Sequence, residues 1–581
     1  MRTARTSTGE GLRAVALCAL LAGAALGVAA LAAAVMSAGC IGGSDPAPSE
    51  PRIPRDVEVP EHLRDTVGEL ARFAGRETVG VQSYGFITGL DDTGTKVVPP
   101  GVRQQIMDMM RRKGVEGANE ILARPDTAVV TVSGVLPPGI AKGEQFDLDV
   151  RALPVTETTS LEGGFLLEAE LSRVTTARGV ESRSEALALG RGAIFVSPFT
   201  GEAGAGKPSA DPRIGRILAG GKALKTRHFR LALLVPSVRT ADQIVRLVNA
   251  RFPGAAKGTE DAGRVDLEVP KAYQTDKTRF LDLVGALYMR EAPDARDRRI
   301  DLLIGLLKDG QDMDRVALCL ESFGSAVAPR LHALADDPSE AVRFYAGRTL
   351  AWLQDAQAVH VLERPALDDK SPFQEQAVEA LGRLRSGVGM GVLGRALNAT
   401  SPRVRVAAWQ ATARLAPRTF VSQDFEEKFI LSKVATKGEP FVYVSRTLRP
   451  EIALFGDIAI RPPLLSEARR VTASAQEDGK VVKLLARREG RDLILEAPLT
   501  AEGVIKVMAS PVGITEDKPE ATGLDLGYSD VVGLLYEMSR KGALTGPIVL
   551  QPLEYRVTGD RPIARPISTA EDGAPPAEPE P

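Results

Sequence analysis

The stretch 80–96, GVQSYGFITGLDDTGTK, sets Gly80, Gly85, Gly89 and Gly94 among the apolar and aromatic Tyr84, Phe86, Ile87 and Leu90. Glycine inside a strand marks a bulge or a close approach of another backbone. The spacing therefore predicts a bent, closely packed strand, and it shows none of the signs of a catalytic loop. A chain organised around such a segment reads as a part of an assembly in preference to an enzyme.

Outward from this segment, strands and helices alternate over residues 61–291. Phe146, Leu148, Val150 and Ala152 alternate with Gln145, Asp147, Asp149 and Arg151, the period of two of a half-buried strand. Val265, Leu267 and Val269 repeat the pattern, and the β-branched run 126–136 is closed by Pro137-Pro138. Thr240 with Gln243 reads as a capping box for a helix whose apolar face is Ile244, Leu247, Val248 and Phe252. Val102, Ile106 and Met109 form a second such face, closed by basic residues and Gly114. The region reads as two small α+β units.

The character changes over 292–418. Ala346, Ala377 and Ala408 stand 31 residues apart, as do Leu353, Leu384 and Leu415, with Ser339, Ser371 and Ser401 ahead of the corresponding helices. A fixed period of this size means stacked helix pairs, none of which can bury its apolar face alone; the segment resembles HEAT-type repeats. Both tryptophans, Trp352 and Trp409, lie here and read as core fillers, with exposed anchors for a partner as the reading weighed against it. Strands return over 419–556, with a hairpin turning at Gly490 and a helix that Ser529 would cap and Gly542 would close. The fold class is thus α+β multidomain: mixed units, an all-α repeat segment and a β-rich C-terminal domain. The acidic, proline-rich end, 557–581, reads as disordered.

Residues 14–39 carry no charge and follow Arg2, Arg5 and Arg13, which predicts an export leader over 1–40. Ser37-Ala38-Gly39-Cys40 is similar to a bacterial lipoprotein cleavage box and places lipid on Cys40; an uncleaved anchor and ordinary cleavage are the readings weighed against it. Residues 41–60 then form a tether. With Cys18 in the leader and Cys40 lipidated, Cys319 stands alone, so no disulfide is expected, and its place in a helical pattern predicts a small buried apolar residue.

Nothing in composition or motif points to chemistry. The formal charge of −2 offers no basic field for nucleic acid. Residues 201–208, GEAGAGKP, fall short of a phosphate-binding loop because Pro208 replaces the magnesium-binding hydroxyl. Asp91-Asp92-Thr93-Gly94 reads as a turn. His62, His228, His332 and His360 are too scattered for a metal, so neither metal nor cofactor is expected.

The ordered motifs resemble those of bacterial flagellar P-ring proteins. The segment around Tyr84-Gly85, Gly89-Leu90 and Thr93-Gly94 comes first. Then follow the strand ending at Leu136-Pro137-Pro138, the run 160–167 (SLEGGFLL), the run 186–190 (ALALG), the Thr240 helix and, far downstream, 528–550. The resemblance implies a ring-forming, non-enzymatic bushing around the flagellar rod in the periplasm. Its implied partners are copies of itself, the rod, the outer-membrane L-ring and peptidoglycan, with membrane contact only through the N-terminal lipid or anchor. Cys40 and the repeats depart from the family pattern. Ile41 at the second mature position lacks the aspartate associated with inner-membrane retention, which favours the outer membrane, and the repeats are expected to project from the ring and bind another envelope protein. The alternative is a non-flagellar envelope lipoprotein scaffold that binds partners through the repeats; an envelope hydrolase is the third reading.

Overall fold

The computed structural model describes residues 59–552, except 113, 115, 178–179, 200–210, 262, 291, 489–490 and 514–521. The leader with Cys40, nearly all of the tether, residues 201–208, Gly490 and the tail 557–581 lie outside the described residues.

Strand β1 (Ala71–Ala74) leads into β2 (Val79–Thr88), followed by β3 (Ala128–Leu136), β4 (Gln145–Ala152), β5 (Phe165–Ala177), β6 (Val180–Ala193) and β7 (Ile214–Ala223). The order β2-β3-β4-β7-β6-β5 closes into an antiparallel barrel. The alternation in β4 is the alternation of barrel interior and exterior: Phe146, Leu148, Val150 and Ala152 are buried, and they fill the interior with Val130, Val132, Leu166 and Leu171. The expected second α+β unit is therefore a closed barrel, sealed by the pairing of β2 with β5, which lies far off in sequence. The helix Pro100–Arg112 packs outside it through the buried Ile106 and Met110, with the expected Val102 and Met109 half-buried against the same core.

Strands β8 (Phe229–Leu233), β9 (Ala256–Gly258) and β10 (Arg264–Leu267) join β1 in a four-stranded sheet, β1-β8-β10-β9. Helices Val238–Arg251 and Lys277–Ala286 cover it through Ile244, Val248, Phe280 and Val284. The first helix begins earlier than the sequence suggests. Ser237 is its cap, accepting from the Thr240 N–H at 3.3 Å, while the Gln243 side chain donates to the Met289 carbonyl at 3.0 Å. The sheet sits at one end of the barrel. There Lys277 Nζ donates to the Gly139 carbonyl at 3.0 Å, and Arg227 reaches the Pro137 carbonyl at 3.3 Å.

Helices then run from Pro293–Lys308 to Pro402–Leu415. The 31-residue period is visible as bonds between equivalent positions of successive repeats. Ser371 Oγ donates to Glu340 Oε1 at 2.5 Å, the Arg385 N–H to Gln354 Oε1 at 3.0 Å and Thr400 Oγ1 to Asp369 Oδ2 at 2.6 Å. Ala346, Ala377 and Ala408 are all fully buried, as a shared face requires. Cys319 is buried among them, and burial pushes its thiol up to about 11.

The C-terminal region holds β11 (Val421–Phe425), β12 (Phe429–Val434), β13 (Phe441–Val444), β14 (Glu451–Phe455), β15 (Leu464–Ala468), β16 (Val471–Ala475), β17 (Val481–Arg488), β18 (Arg491–Pro498) and β19 (Ile548–Leu550). They form a five-stranded sheet, β11-β12-β14-β13-β19, and a four-stranded meander, β15 to β18. Helices Ala501–Ala509 and Tyr528–Arg540 share their core through Val504, Met508, Val531 and Leu535. Gly527, not Ser529, precedes the second helix, and its N–H donates to Asp530 Oδ2 at 3.1 Å; Gly542 follows the helix at φ +70°.

The repeats do not project as a free arm, because both of their ends are packed. On the small-sheet side Arg279 pairs with the fully buried Glu321 carboxylate near the start of the repeats, and midway along them Trp352 stacks on Tyr273 at 5.8 Å with the Arg279 and Arg383 guanidinium carbons 4.2 and 4.5 Å from its ring centre. At the last end Trp409 lies edge-on to Tyr443 at 5.7 Å and Phe455 at 5.8 Å, while Arg405 donates to the Glu439 carbonyl at 2.7 Å. The C-terminal sheets in turn meet the barrel through Phe195, Phe199 and Leu218. Barrel, small sheet, repeats and C-terminal sheets thus form a closed circuit.

Candidate assembly residues

The eight residues singled out around the glycine-rich segment fall into two places. Tyr84, Gly85, Gly89, Leu90, Thr93 and Gly94 lie along β2 and the loop beyond its far end. Pro137 and Pro138 lie at the near end, where Leu136 pairs with Val79. The structure does not bring the two groups together.

Apart from Gly80, the positions of the glycine-rich segment taken up here are filled or turned by the chain itself. Tyr84 is half-buried against the small core around Phe86 and Ile106. A side chain at Gly85 would stand 2.6 Å from Leu166 Cδ1 and from Val132 Cγ2, so the absent Cβ lets the barrel wall close. Gly89 takes φ +80°, which turns the chain into the loop, and Leu90 is buried. A Cβ at Gly94 would stand 2.0 Å from the Thr127 carbonyl oxygen and 2.6 Å from that of Pro125. Gly80 differs, because nothing lies within 4 Å of the Cβ it lacks.

The loop is held by charges that the sequence does not single out. Arg469 and Arg470 are the two residues between β15 and β16. Arg470 donates to both carboxylate oxygens of Asp91, at 3.0 and 3.1 Å, and to the Gly89 carbonyl at 3.1 Å. Arg469 donates to the Glu162 carbonyl and to Thr93 Oγ1 at 3.3 Å, and Thr93 Oγ1 donates to the Ser160 carbonyl at 2.9 Å. Gly163 leaves room for this, since a side chain there would lie 2.7 Å from the Arg470 guanidinium carbon. Burial alone would raise the Asp91 carboxyl, but the Arg470 hydrogen bonds and the charges of Arg470 and Arg469 outweigh it and hold it below the usual range. For Glu162 and Asp530, burial wins over the same two arginines and the carboxyls are raised. The one signal in the sequence was a hairpin turn, Arg469-Arg470, without glycine or asparagine.

The arrangement can position and bind; it offers no nucleophile with a base beside it. Hollows of 460 Å³, lined by Ala416, Pro417, Arg418 and Thr419, and of 420 Å³, lined by His360, Glu363, Arg364, Leu367 and Asp368, lie on or beside the repeats and away from this loop. Among the described residues, no helix is long and apolar enough to cross a membrane.

Fold and site together define a multidomain α+β chain in which a barrel region is bridged to a β-rich C-terminal region by helical repeats. The barrel region and the repeats match known families. Residues 66–299 match the family model described as flagellar P-ring protein, and residues 300–382 match that of HEAT repeats. The chain therefore carries a P-ring-family region, made of the barrel and the small sheet, followed by a HEAT-repeat segment whose helices continue to Leu415. It is 29% identical over 210 residues to the flagellar P-ring protein of Caulobacter vibrioides, covering 35% of this chain and 55% of that protein. It is 25% identical over 356 residues to that of Syntrophotalea carbinolica, covering 59% of this chain and 89% of that protein. For the Geobacter metallireducens protein the figures are 28% over 238 residues, 39% of this chain and 62% of that protein. The chain spans about half the length of several curated relatives it matches, 55% of one and 54% of another.

Proposed function

We propose that the chain is a structural, ring-forming component of the bacterial flagellar basal body that surrounds the rod as a bushing in the periplasm. The observation that carries this reading is the coincidence of the family match, 66–299, with a structural body of its own, the barrel and small sheet that share one end. A ring of copies needs a subunit that keeps its shape, and the closed circuit of contacts supplies one. The reading includes lipid on Cys40, contact with peptidoglycan and with the L-ring, and no catalytic role. The eight residues along β2 and at the Pro137 turn act in it by fixing the barrel's two ends for packing with neighbours. Isolated basal bodies tested for this chain decide the matter: its presence in stoichiometric amount with rod proteins supports the reading, and its absence from motile cells' basal bodies refutes it.

A second reading, a non-flagellar envelope scaffold, draws on the HEAT-repeat match and on the outer face of the helix Ala358–Leu367, where His360, Glu363 and Arg364 line a 420 Å³ hollow. Removing the repeats separates the two. In the first reading they brace the body, so the deletion weakens assembly; in the second it leaves assembly intact and loses a partner.

A further inference from the structure

The helices Glu340–Trp352, Gln374–Leu381 and Pro402–Leu415 end at equivalent positions of successive repeats, and the last two ends carry arginines. Trp352, Arg383 and Arg414 stand 31 residues apart, Arg385 lies beyond the second helix and Arg418 beyond the third. The ends are joined, because Gln354 Nε2 donates to the Arg383 carbonyl at 2.9 Å and Gln354 Oε1 accepts from the Arg385 N–H at 3.0 Å. Arg385, Arg414 and Arg418 are exposed, and Arg383 is half-buried.

Elsewhere on the repeats arginines are paired across helices, Arg330 with Asp301, Arg348 with Asp314 and Arg395 with Glu363. Among the described residues, none of the four arginines in this row has a carboxylate at ion-pair distance; Arg383 donates instead to Thr275 Oγ1 at 3.2 Å. Burial and then the charge of Arg414 push the Arg383 guanidinium down, with Asp276 and Glu379 opposing from farther away. Like charges therefore stand side by side. A helix C-terminus carries about −0.5 elementary charge, so the two helix ends offset about one of the four positive charges. A hollow of 460 Å³ opens at the end of the row, where Arg418 meets Ala416, Pro417 and Thr419. The surface thus sets cations beside a small apolar recess.

Charge and reach single out an occupant. Residues 571–580, EDGAPPAEPE, hold Glu571, Asp572, Glu578 and Glu580 and no base, with alanine and proline between them. Carboxylates suit the guanidinium groups, and a proline-rich run suits the recess. Strand β19 brings the chain to this place: Val549 packs against the repeat core, and Tyr443, its partner in β13, lies 5.7 Å from Trp409. Trp409 and Arg414 share one helix, about 7.5 Å apart along its axis. Residues 553–570 then lead from Pro552 to the acidic run. Their length spans roughly 60 Å when extended and on the order of 25 Å as a flexible chain, enough to reach the row.

We infer that the acidic run 571–580 docks on the Arg383–Arg385–Arg414–Arg418 row of its own chain, with its proline and alanine residues over the hollow beside Pro417. The tether keeps the run at high effective concentration, so weak contacts suffice, and an outside acidic chain must displace it. The inference does not depend on the ring reading.

A disulfide trap in the full chain tests it. The double variant Ala577→Cys, Thr419→Cys is oxidised beside a control, Ala577→Cys with Val155→Cys, which is exposed on the barrel region. Peptide mapping and non-reducing gels read the link. The expected result is a link within one chain that forms about tenfold faster than in the control. It should fall to the control rate in high salt, and also when Arg385→Gln, Arg414→Gln and Arg418→Gln are added. Equal rates for the two pairs would overturn the inference, as would a rate that neither salt nor the three glutamines change. A link that forms only between chains would assign the row to the tail of a second copy and would overturn it as well.

Discussion

Replacing Gly94 by alanine tests how the glycine-rich segment works. The new Cβ would stand 2.0 Å from the Thr127 carbonyl oxygen and 2.6 Å from that of Pro125, and neither is a side chain that can swing aside. The loop must shift by more than about 1 Å to reach ordinary contact, which endangers the bonds from the Gly94 N–H to the Pro125 carbonyl and from the Thr95 N–H to the Thr127 carbonyl, both 2.9 Å. Overpacking costs about 1–3 kcal/mol and each of the two bonds about 0.5–1.5 kcal/mol, so the expected destabilisation is roughly 2–6 kcal/mol. Gly80→Ala is the control from the same motif. Its Cβ meets nothing within 4 Å, and the lower chain entropy of alanine should stabilise by about 0.5 kcal/mol. Urea unfolding of both variants, followed by circular dichroism, makes the comparison. Equal stability of the two variants would refute the assignment of these glycines to packing within the chain.

Three further outcomes follow from the contacts. Arg279→Met leaves the Glu321 carboxylate buried without its partner and should cost about 3–5 kcal/mol, most of which Glu321→Gln restores in the double variant; urea midpoints give both values. Asp91 is held below the ordinary carboxylate value, so its contribution is present above about pH 4 and is lost as pH falls through its depressed pKa. Asp91→Asn should remove that part of the acid dependence, read from stability against pH between 2 and 5 on the order of one unit apart. Cys319 should react with a thiol reagent only on unfolding, because its sulfur is buried and its pKa is pushed up to about 11; labelling at the native rate of a free thiol would contradict this.

What was legible in the sequence was local. Alternation in 145–152 and the 31-residue alanine spacing report the immediate neighbours of each residue, and β4 and the repeat interior follow from them. Closure of the barrel was not legible, because it depends on β2 meeting β5, with Gln82 opposite Ser172 and Thr88 opposite Phe165. The same limit hid the docking of the repeats: Trp352 and Trp409 read as core fillers, but nothing near them names Tyr273 or Tyr443 as the other half of the contact. Arg469 and Arg470 sit in a two-residue turn whose chemistry makes sense only beside Asp91, 379 residues away for Arg470. Helix starts shifted for a simpler reason. Ser237 Oγ accepts the Thr240 N–H in place of the expected cap, whereas Gly527 has no side chain and is tied instead by its own N–H donating to Asp530 Oδ2, so backbone direction sets where each helix starts.

The central claim is that copies of this chain close into a ring. Light scattering and electron microscopy of the purified full chain over a range of concentrations measure this most directly. The account predicts closed rings of uniform diameter. A particle that stays monomeric at every concentration, or that stops at a two-fold dimer, would contradict it.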